Sequence, residues 1–396
     1  MNAWDAFKYT LKSVLLDKGA VVPAVLGGIV YCFFYPLPYL PQVVRNVPVI
    51  VADYDSSSLS RQFERDLDAT REVRVTGVVR RVEEAVPLLQ VGEIGGIVAI
   101  PPQFHRDVLR GTPTGVIVMG NGGYIVVDGT ILETAAEVLA STAAAPLSAH
   151  LIEADVPPAV VMRAAHAGPA FIKQPLFNTV QGYDSYVVPA STGLIVHQLL
   201  IIGICLVMGT WIERGSWAVA SQGRLSVGAF GGIILAFWLL AWCAILFWVG
   251  FVFWFHDLPR AGNLGAAIAV GALYALAIAA LGVSLGCWMA DRERAFQVIG
   301  AVSIPMLFLS GFAFPIESIP EPMIWLSFLL PSTHGIQALL KFNQMGATWL
   351  ETTPQIIRLL MMTAAYLGLA WWMASRRAPG PEQRIGELAA SAHPIL

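Results

Sequence analysis

A long uncharged segment in the middle of the chain most constrains its fold. No charged residue lies between Asp184 and Glu213, and most side chains between them are aliphatic. A helix needs about 20 apolar residues to cross the hydrocarbon core of a bilayer, so this segment is long enough to span it. It ends in Glu213-Arg214-Gly215, which is typical of a helix that emerges into water. The sequence therefore predicts a membrane-spanning helix here.

Other uncharged runs and the composition extend this prediction to the whole chain. Hydrophobic residues make up 56% of the sequence and charged residues 13%, against about 25% charged in soluble proteins. The mean hydropathy is +0.65. Six uncharged apolar runs are predicted to span the membrane, at residues 19–44, 186–211, 225–255, 261–290, 295–316 and 359–375.

Residues 1–18 have the pattern of an amphipathic helix that precedes the first span. Trp and Lys on such a helix favour a position in the headgroup plane, and the alternative is a short soluble helix packed on a partner. A cleaved signal peptide is a second interpretation of residues 19–44, since basic residues precede them. The segment Tyr31-Cys32-Phe33-Phe34-Tyr35-Pro36 has no small-residue cleavage pattern, so an uncleaved anchor is predicted.

Residues 45–182 differ from the rest and predict an α/β domain inserted between spans 1 and 2. Strands are predicted at 47–52, 73–79, 95–100 and 116–119. Helices are predicted after a cap at Ser57 or Ser58, over 82–91, from Pro101-Pro102 through Val108, and over 131–152, and the Gly/Pro-rich segment 155–182 leads back to the membrane. The predicted fold class is an α-helical polytopic membrane protein with six transmembrane helices and this extracytoplasmic α/β domain.

The distribution of basic residues predicts the orientation. In the short loops, nine basic residues fall on the side of the two termini, namely Lys8, Lys12, Lys18, Arg214, Arg224, Arg292, Arg294, Arg376 and Arg377. Only Arg260, Lys341 and Arg358 fall on the other side. Basic loops stay in the cytosol, so both termini, including a tail at 376–396, are expected there and the 45–182 domain outside.

Several classes of chemistry are not expected. A net charge of −3 with scattered Lys and Arg gives no reason to expect nucleic-acid binding. The four cysteines lie far apart in apolar runs and predict neither a zinc site nor a disulfide framework. No Gly-rich loop ends in Gly-Lys-Ser/Thr, so ATP is not bound by a P-loop, and any uphill work needs a partner. The outer turn with Asp53, Asp55 and its serines is interpreted as a capped turn.

The spans offer few candidate functional side chains. His197 is the ionisable exception, and a hydrogen-bonded bundle residue is preferred to a proton relay. Aromatic residues crowd the third span, either as packing against lipid or as the lining of a cargo path, with Trp238, Trp242 and Phe247 as candidates alongside His197. Short apolar helices and prolines after the fifth span predict a re-entrant hairpin at 315–340, within the permease block 183–375. His334 near Glu317 or Glu321 is not taken as a metal site.

In this pattern the chain resembles permease subunits of type-2 ABC exporters, in the bacterial branch with a large extracytoplasmic domain after the first span. The resemblance covers nearly the whole chain and rests on the order of five short motifs against the six spans. The motifs lie at 51–60, at 95–104 with Leu109-Arg110-Gly111, at Glu213-Arg214-Gly215, at 310–316 with Ile319-Pro320, and at Leu330-Pro331-Ser332-Thr333-His334.

The resemblance implies a half-transporter in the bacterial inner membrane that dimerises with a copy or a relative. It implies docking of cytosolic ATPase subunits that hold ATP and Mg, so the chain itself would bind no cofactor. Residues 1–18 and a cytosolic loop would contact the ATPase, the loop residues being Glu213, Arg214, Gly215, Ser216 and Trp217. The outer gate would comprise Gly311, Phe312, Phe314, Pro315 and Pro331. A periplasmic adaptor is a further partner expected by analogy only.

Two departures from the family and two alternatives accompany this interpretation. Ser216 stands where the family usually has Thr, and Pro87 is predicted to interrupt a helix that is normally continuous. The main alternative is a membrane-anchored extracytoplasmic receptor that binds a ligand without transport. It would need a cytosolic output domain. An ATP-independent channel would need polar stripes along the spans, and none is evident.

Overall fold

The computed structural model describes residues 1–37, 44–110, 112, 114–120, 125–153, 182–214, 225–260, 262–312 and 318–377. The described chain is mostly helical and contains one four-stranded sheet. It divides into two compact units. One comprises Met1–Leu40 with Leu176–Leu396, and the other comprises Pro41–Pro175. The predicted segment 155–182 and the tail 376–396 lie almost entirely outside the described residues.

The membrane unit begins with a sharply bent helix pair. Helix α1 (Ala3–Leu16) is followed by α2 (Lys18–Val21), a π-helical segment (Val22–Gly27) and α3 (Gly28–Phe34). The axis turns by 82° at Asp17. One face of α1 is buried and carries small or β-branched side chains, while Trp4, Leu15 and Leu16 are exposed. Helix α1 is therefore amphipathic and lies across the direction of the helices that follow it.

The second unit is built on a mixed sheet with strand order β2-β1-β3-β4. Strands β1, β2 and β3 are parallel, and β4 runs antiparallel to β3. The elements are β1 (Val47–Asp53), α4 (Ser58–Asp68), β2 (Val73–Val79), α5 (Val82–Gln90), β3 (Gly96–Ile100), α6 (Phe104–Leu109), β4 (Ile117–Gly120) and α7 (Ile125–Glu153). This is the predicted α/β architecture.

Helices cover both faces of this sheet, which is why β1 and β3 are almost continuously apolar. On one face, Val49 and Val51 pack with Phe63 and Phe104 of α4 and α6. On the other face, α5 buries Ala85 in a second apolar cluster beneath β1 and β3. Strand β2 lies at the edge and alternates between buried or half-buried and exposed side chains.

Among the described residues, the membrane unit contains eight further α-helices and one further π-helical segment. They are α8 (Tyr183–Glu213), α9 (Val227–Leu246) with a π-helical continuation (Phe247–Val252) into α10 (Phe253–Phe255), α11 (Leu264–Met289), α12 (Arg292–Leu309), α13 (Glu321–Ser327), α14 (Pro331–Asn343) and α15 (Trp349–Arg377). Helices α8, α9 and α11 are apolar around their whole circumference, as expected of helices surrounded by lipid and other helices.

The part of the chain that the structure describes contains four to six candidate membrane spans. Four helices are long and apolar enough to cross, at Asp184–Glu213, Val227–Phe255, Leu264–Met289 and Trp349–Arg376. Two bent pairs would add one span each, α1 with the helix after it, and α13 with α14, which meet at 79°. Helix α12, predicted to lie within a fifth span, ends at Leu309 and carries three charged residues at its start. Because of these charges, α12 by itself does not have the composition of a span, although its 18 residues are long enough.

Two local predictions in the second unit, Pro41–Pro175, were wrong. Helix α6 begins at Phe104, not at Pro101-Pro102, and Gln103 before it adopts a left-handed conformation with φ of 66°. Pro102 disfavours the helical conformation of Pro101 before it, and the left-handed Gln103 keeps both prolines out of the helix. Pro87 does not interrupt α5, which runs from Val82 to Gln90 and continues its hydrogen bonding from the Val91 amide to the Pro87 carbonyl at 3.1 Å.

The start of α4 is fixed by a reciprocal cap. Ser57 Oγ accepts a hydrogen bond from the Ser60 amide at 3.0 Å, and Ser60 Oγ accepts one from the Ser57 amide at 2.9 Å. Ser60 Oγ also donates to Asp53 Oδ2 at 2.7 Å, which ties the helix to the end of β1. Ser57 is thus the cap, rather than the neighbouring Ser58.

We expect Ser57→Ala to lower the free energy of local unfolding of α4 by about 0.5–2 kcal/mol, because the Ser60 amide loses its acceptor. Hydrogen exchange followed by mass spectrometry on peptides from residues 58–68 would measure the change. Ser58→Ala is the matched control, since Ser58 is exposed and does not cap the helix. Equal effects of the two substitutions would contradict the assignment.

Candidate functional site

The bend between α1 and α2 is held by Asp17. Its Oδ1 accepts hydrogen bonds from the amides of Gly19 at 2.9 Å and Ala20 at 3.3 Å, which is the N-cap arrangement. The Arg292 guanidinium at the start of α12 donates to both carboxylate oxygens, with Nη2 2.6 Å from Oδ1. The hydrogen bond from Arg292 lowers the pKa of Asp17 to about 2, and the same contact raises the pKa of Arg292. Asp17 is therefore a cap and an ion-pair partner at once.

The end of α8 joins the same contact. The Thr210 hydroxyl lies 3.1 Å from Asp17 Oδ2 and accepts a hydrogen bond from Arg292. Glu213 Oε1 accepts from the Arg292 amide at 2.8 Å, so it satisfies a free donor at the start of α12. A Cβ on Gly209 would lie 2.9 Å from the Arg292 backbone nitrogen, so the two helix ends approach closely. We call Asp17, Thr210, Glu213 and Arg292 the elbow cluster.

A cleft of about 750 Å³ opens between α1, the end of α8 and the elbow cluster. Across it, Trp211 Nε1 donates to Ser13 Oγ at 3.2 Å, and the rings of Trp211 and Tyr9 lie 5.4 Å apart. Its lining includes Lys12, Leu16, Asp17, Lys18, Glu213, Arg214 and Arg292. Two of the predicted ATPase-contacting residues, Glu213 and Arg214, thus share a cleft with α1. Gly215, Ser216 and Trp217 lie outside the described residues.

Near the other end of α12, α14 satisfies the helix-end carbonyls. Thr333 Oγ1 donates to the Leu309 carbonyl at 3.0 Å, and Gln337 Nε2 donates to the Ser310 carbonyl at 3.4 Å. Gly311 follows with φ of +78°, a conformation that favours glycine, and so ends the helix. Broken helices within a membrane need such internal partners.

The predicted gate residues are placed only in part. Phe312 contacts Tyr186 of α8, with ring centroids 6.4 Å apart, and the Tyr186 hydroxyl donates to the Phe312 backbone carbonyl. Pro331 is buried in the first turn of α14. Phe314 and Pro315 lie outside the described residues. Gly311 and Phe312 therefore lie where α12 ends beside α8.

A second cleft, of about 470 Å³, lies between α8 and α12 next to Phe312. Its lining combines aliphatic and aromatic side chains with hydroxyl and amide groups, and includes Tyr35, Tyr186, Ser191, Ile195, Gln198, Ser303, Ile304 and Phe312. Gln198 Nε2 donates to the Ser303 carbonyl at 3.3 Å and joins the two helices beside it. We call this space the outer cleft because Phe312, a residue of the predicted outer gate, lines it. Its mixed lining suits amphipathic molecules.

The four residues predicted for a cargo path lie at separate places. Trp238 stacks on Trp242 at 5.1 Å, and its Nε1 donates to the Ala272 carbonyl at 2.8 Å. Phe247 stacks on Phe251. His197 is fully buried and stacks on Tyr274, with centroids 5.8 Å apart, and neither of its ring nitrogens has a hydrogen-bond partner among the described residues. None of the four lines the outer cleft.

Trp238 lines a different groove. This groove, of about 440 Å³, lies between α9 and α11 and is lined by Gly231, Ile234, Leu235, Trp238, Ala272, Leu273 and Leu276. Its side chains are aliphatic apart from Trp238, which distinguishes it from the outer cleft. We call it the lateral groove.

Sequence reasoning missed Asp17 and Thr210 as functional candidates. It included Arg292 only among the basic residues of the short loops. The local signal was present for Asp17, an acid followed directly by Lys18-Gly19-Ala20 at the start of an apolar run, which is typical of an N-cap. Its pairing with Arg292, at a sequence separation of 275, has no local signal.

The fold defines a polytopic membrane protein, and comparison with known proteins gives the family. Residues 20–372 match the family described as ABC-2 family transporter protein. This match covers most of the chain, so the chain belongs to that family. The predicted resemblance is thereby confirmed, and the chain is a transport permease rather than a catalytic enzyme. Membership implies an ATPase subunit and another permease as partners.

The curated relatives carry the same class name. The probable multidrug ABC transporter permease YbhS of Escherichia coli K12 is 22% identical over 305 residues, which are 74% of this chain and 76% of the relative. The protein of that name from Escherichia coli O157:H7 gives the same values. The probable multidrug ABC transporter permease YbhR of Escherichia coli K12 is 25% identical over 128 residues, 31% of this chain and 34% of the relative.

We expect Asp17→Asn to destabilise the membrane unit by about 1.5–3 kcal/mol, because the charged, half-buried Arg292 guanidinium loses its carboxylate partner. Asparagine still caps α2, so the loss reports the ion pair. Thermal unfolding of the purified protein in detergent would measure it. In the double variant Asp17→Asn/Arg292→Gln, part of the stability should return.

Lys8→Gln is the matched control for this measurement. Lys8 pairs with Asp5 at 3.2 Å, but both side chains are at least half exposed. Exposed pairs contribute about 0–1 kcal/mol, so little change is expected. If Asp17→Asn changed stability no more than Lys8→Gln, the elbow cluster would not have the structural role assigned to it.

Proposed function

We propose that the chain is one half of a dimeric, ATP-driven exporter that moves amphipathic or apolar small molecules by alternating access. The elbow cluster is the observation that supports this most directly. It ties a surface helix, the end of α8 and the start of α12 into one unit beside exposed charges. Since the sequence has no P-loop, ATP and Mg belong on a partner ATPase that acts on this unit.

The proposed orientation places the elbow cluster on the cytosolic side of a bacterial inner membrane. It rests on the nine-to-three distribution of basic residues in the short loops. The domain at 45–182 then lies outside the membrane on the opposite face. A periplasmic adaptor that contacts this domain is proposed by analogy alone.

The outer cleft supports the proposed class of cargo. Aliphatic and aromatic side chains supply an apolar surface, while Ser191, Gln198 and Ser303 supply a few polar groups that can orient a molecule. The cleft lies between α8 and α12, and α8 also contributes Thr210 and Glu213 to the elbow cluster. The relatives' names mention multidrug transport, which agrees with cargo of this kind.

Charge reversal at Glu213 and Arg214 should weaken association with the ATPase subunit by about tenfold or more, because the contact would place like charges together. Co-purification from mild detergent, followed by quantification of a P-loop ATPase, would measure it. Charge reversal at Arg260, a basic residue on the opposite side of the predicted topology, is the control. Unchanged association and unchanged transport would remove the coupling role from this loop.

Ile304→Trp should slow transport severalfold without loss of the ATPase. Ile304 is 68% exposed and lines the outer cleft, so the larger ring occupies cargo space at little cost in packing. Leu235→Trp is the matched control, since Leu235 is 47% exposed and lines the lateral groove. Efflux of a fluorescent amphipathic dye from cells would compare them. Slower efflux with Leu235→Trp alone would assign the cargo path to the lateral groove instead.

A further inference from the structure

The cleft beside the elbow cluster carries more positive charge than its own acids neutralise. Four cations line it, Lys12, Lys18, Arg214 and Arg292, against two acids, Asp17 and Glu213. Both acids are engaged by Arg292, through its guanidinium and its backbone amide. Among the described residues, the other three cations have no carboxylate within 4.0 Å. Four cations less two acids leave a surplus of two positive charges.

The cleft lies where the apolar part of α8 ends. Thr210 and Glu213 lie at the end of the long uncharged segment, and they contact Asp17 and Arg292, respectively. Asp17 also caps α2, so α2, where the first span begins, lies at the same level as the end of α8. Helix α1 turns away by 82°, along the membrane surface. Leu16, 69% exposed, lines the cleft. Aromatic rings and lysines beside an exposed apolar side chain are typical of the headgroup layer.

We propose that this cleft binds the phosphate headgroup of an anionic phospholipid. The ammonium groups of Lys12 and Lys18 and the Arg214 guanidinium surround the phosphate, and an acyl chain lies beside Leu16. Basic pockets at the cytoplasmic membrane surface between helices recognise such headgroups. An acidic surface of a partner protein would satisfy the charges, but not the exposed leucine at the level of the bilayer.

A bound lipid would connect two parts of the coupling region. Lys12 and Lys18 belong to α1 and α2, whereas Arg214 follows α8. A phosphate between them stabilises the position of α1 against the end of α8, next to the Asp17–Arg292 pair. The inference deepens the proposed function and rests on it for the cytosolic position of the cleft.

The test uses the full-length permease, purified in detergent, stripped of lipid and studied without any ATPase. Native mass spectrometry would follow binding of dioleoylphosphatidylglycerol, with dioleoylphosphatidylcholine as the neutral comparison. Loss of two cations in Lys12→Gln/Lys18→Gln should weaken phosphatidylglycerol binding by about tenfold or more. Lys12→Arg/Lys18→Arg should bind like the wild type, which shows that charge and not folding is affected.

The matched control removes the same charge outside the cleft. The control is Lys8→Gln/Arg376→Gln. It removes the exposed ion pair of Lys8 with Asp5 and the contact of the Arg376 guanidinium with the face of the Trp372 ring. This variant should keep wild-type affinity. If both double variants lose affinity equally, or if phosphatidylcholine binds as tightly as phosphatidylglycerol, the proposal is wrong. Displacement of the lipid by millimolar inorganic phosphate would make it a site for free phosphate.

Failure of the lipid site and failure of the proposed function give different results. If Lys12→Gln/Lys18→Gln binds phosphatidylglycerol normally but no longer retains an ATPase in a pull-down, the cations belong to the protein interface and the lipid site is refuted. If no ATPase associates with the wild type while lipid binding still depends on Lys12 and Lys18, the lipid site stands and the coupling role falls.

Discussion

The ion pair between Asp17 and Arg292 is the contact on which the arrangement of the membrane unit depends. The Asp17 side chain is 15% exposed and the Arg292 side chain 30%, so both are largely removed from water. Removing one partner of such a pair leaves the other without compensation, which costs more than the pair contributes. Because Asp17 also caps α2, and Glu213 accepts from the Arg292 amide, the bend, the end of α8 and the start of α12 stay in a fixed relation.

Helix α8 connects this fixed end to the outer cleft. It is one helix from Tyr183 to Glu213, even though Pro189 cannot donate to the Ser185 carbonyl one turn earlier. Gln344 Nε2 supplies the missing donor at 3.0 Å. The same helix contacts α12 at its middle, where Gln198 Nε2 donates to the Ser303 carbonyl. The elbow cluster and the outer cleft therefore share two helices, each continuous between the two sites.

The parts of the fold that follow from local pattern could be predicted from the sequence. Long uncharged runs predicted α8, α9 and α11, and apolar runs between turns predicted β1 and β3, since burial alone specifies them. The start of α6 was predicted wrongly because proline often occupies the first turn of a helix. Here the left-handed Gln103 separates the two prolines from the helix. Apart from Glu213, the elbow cluster was missed for a different reason. Asp17 and Arg292 are far apart in sequence, and only the packing of α8 against both brings them together.

The contacts of the elbow cluster also limit how the membrane unit can respond to a force on α1. If α1 slid along the surface alone, Arg292 would lose its acid in a half-buried place, at a cost of about 1.5–3 kcal/mol. Trp211 would lose its bond to Ser13 as well. A concerted movement of the bend with α8 and α12 keeps these contacts. Since α8 and α12 line the outer cleft, we infer that the least costly response to force at α1 is one that changes the shape of that cleft.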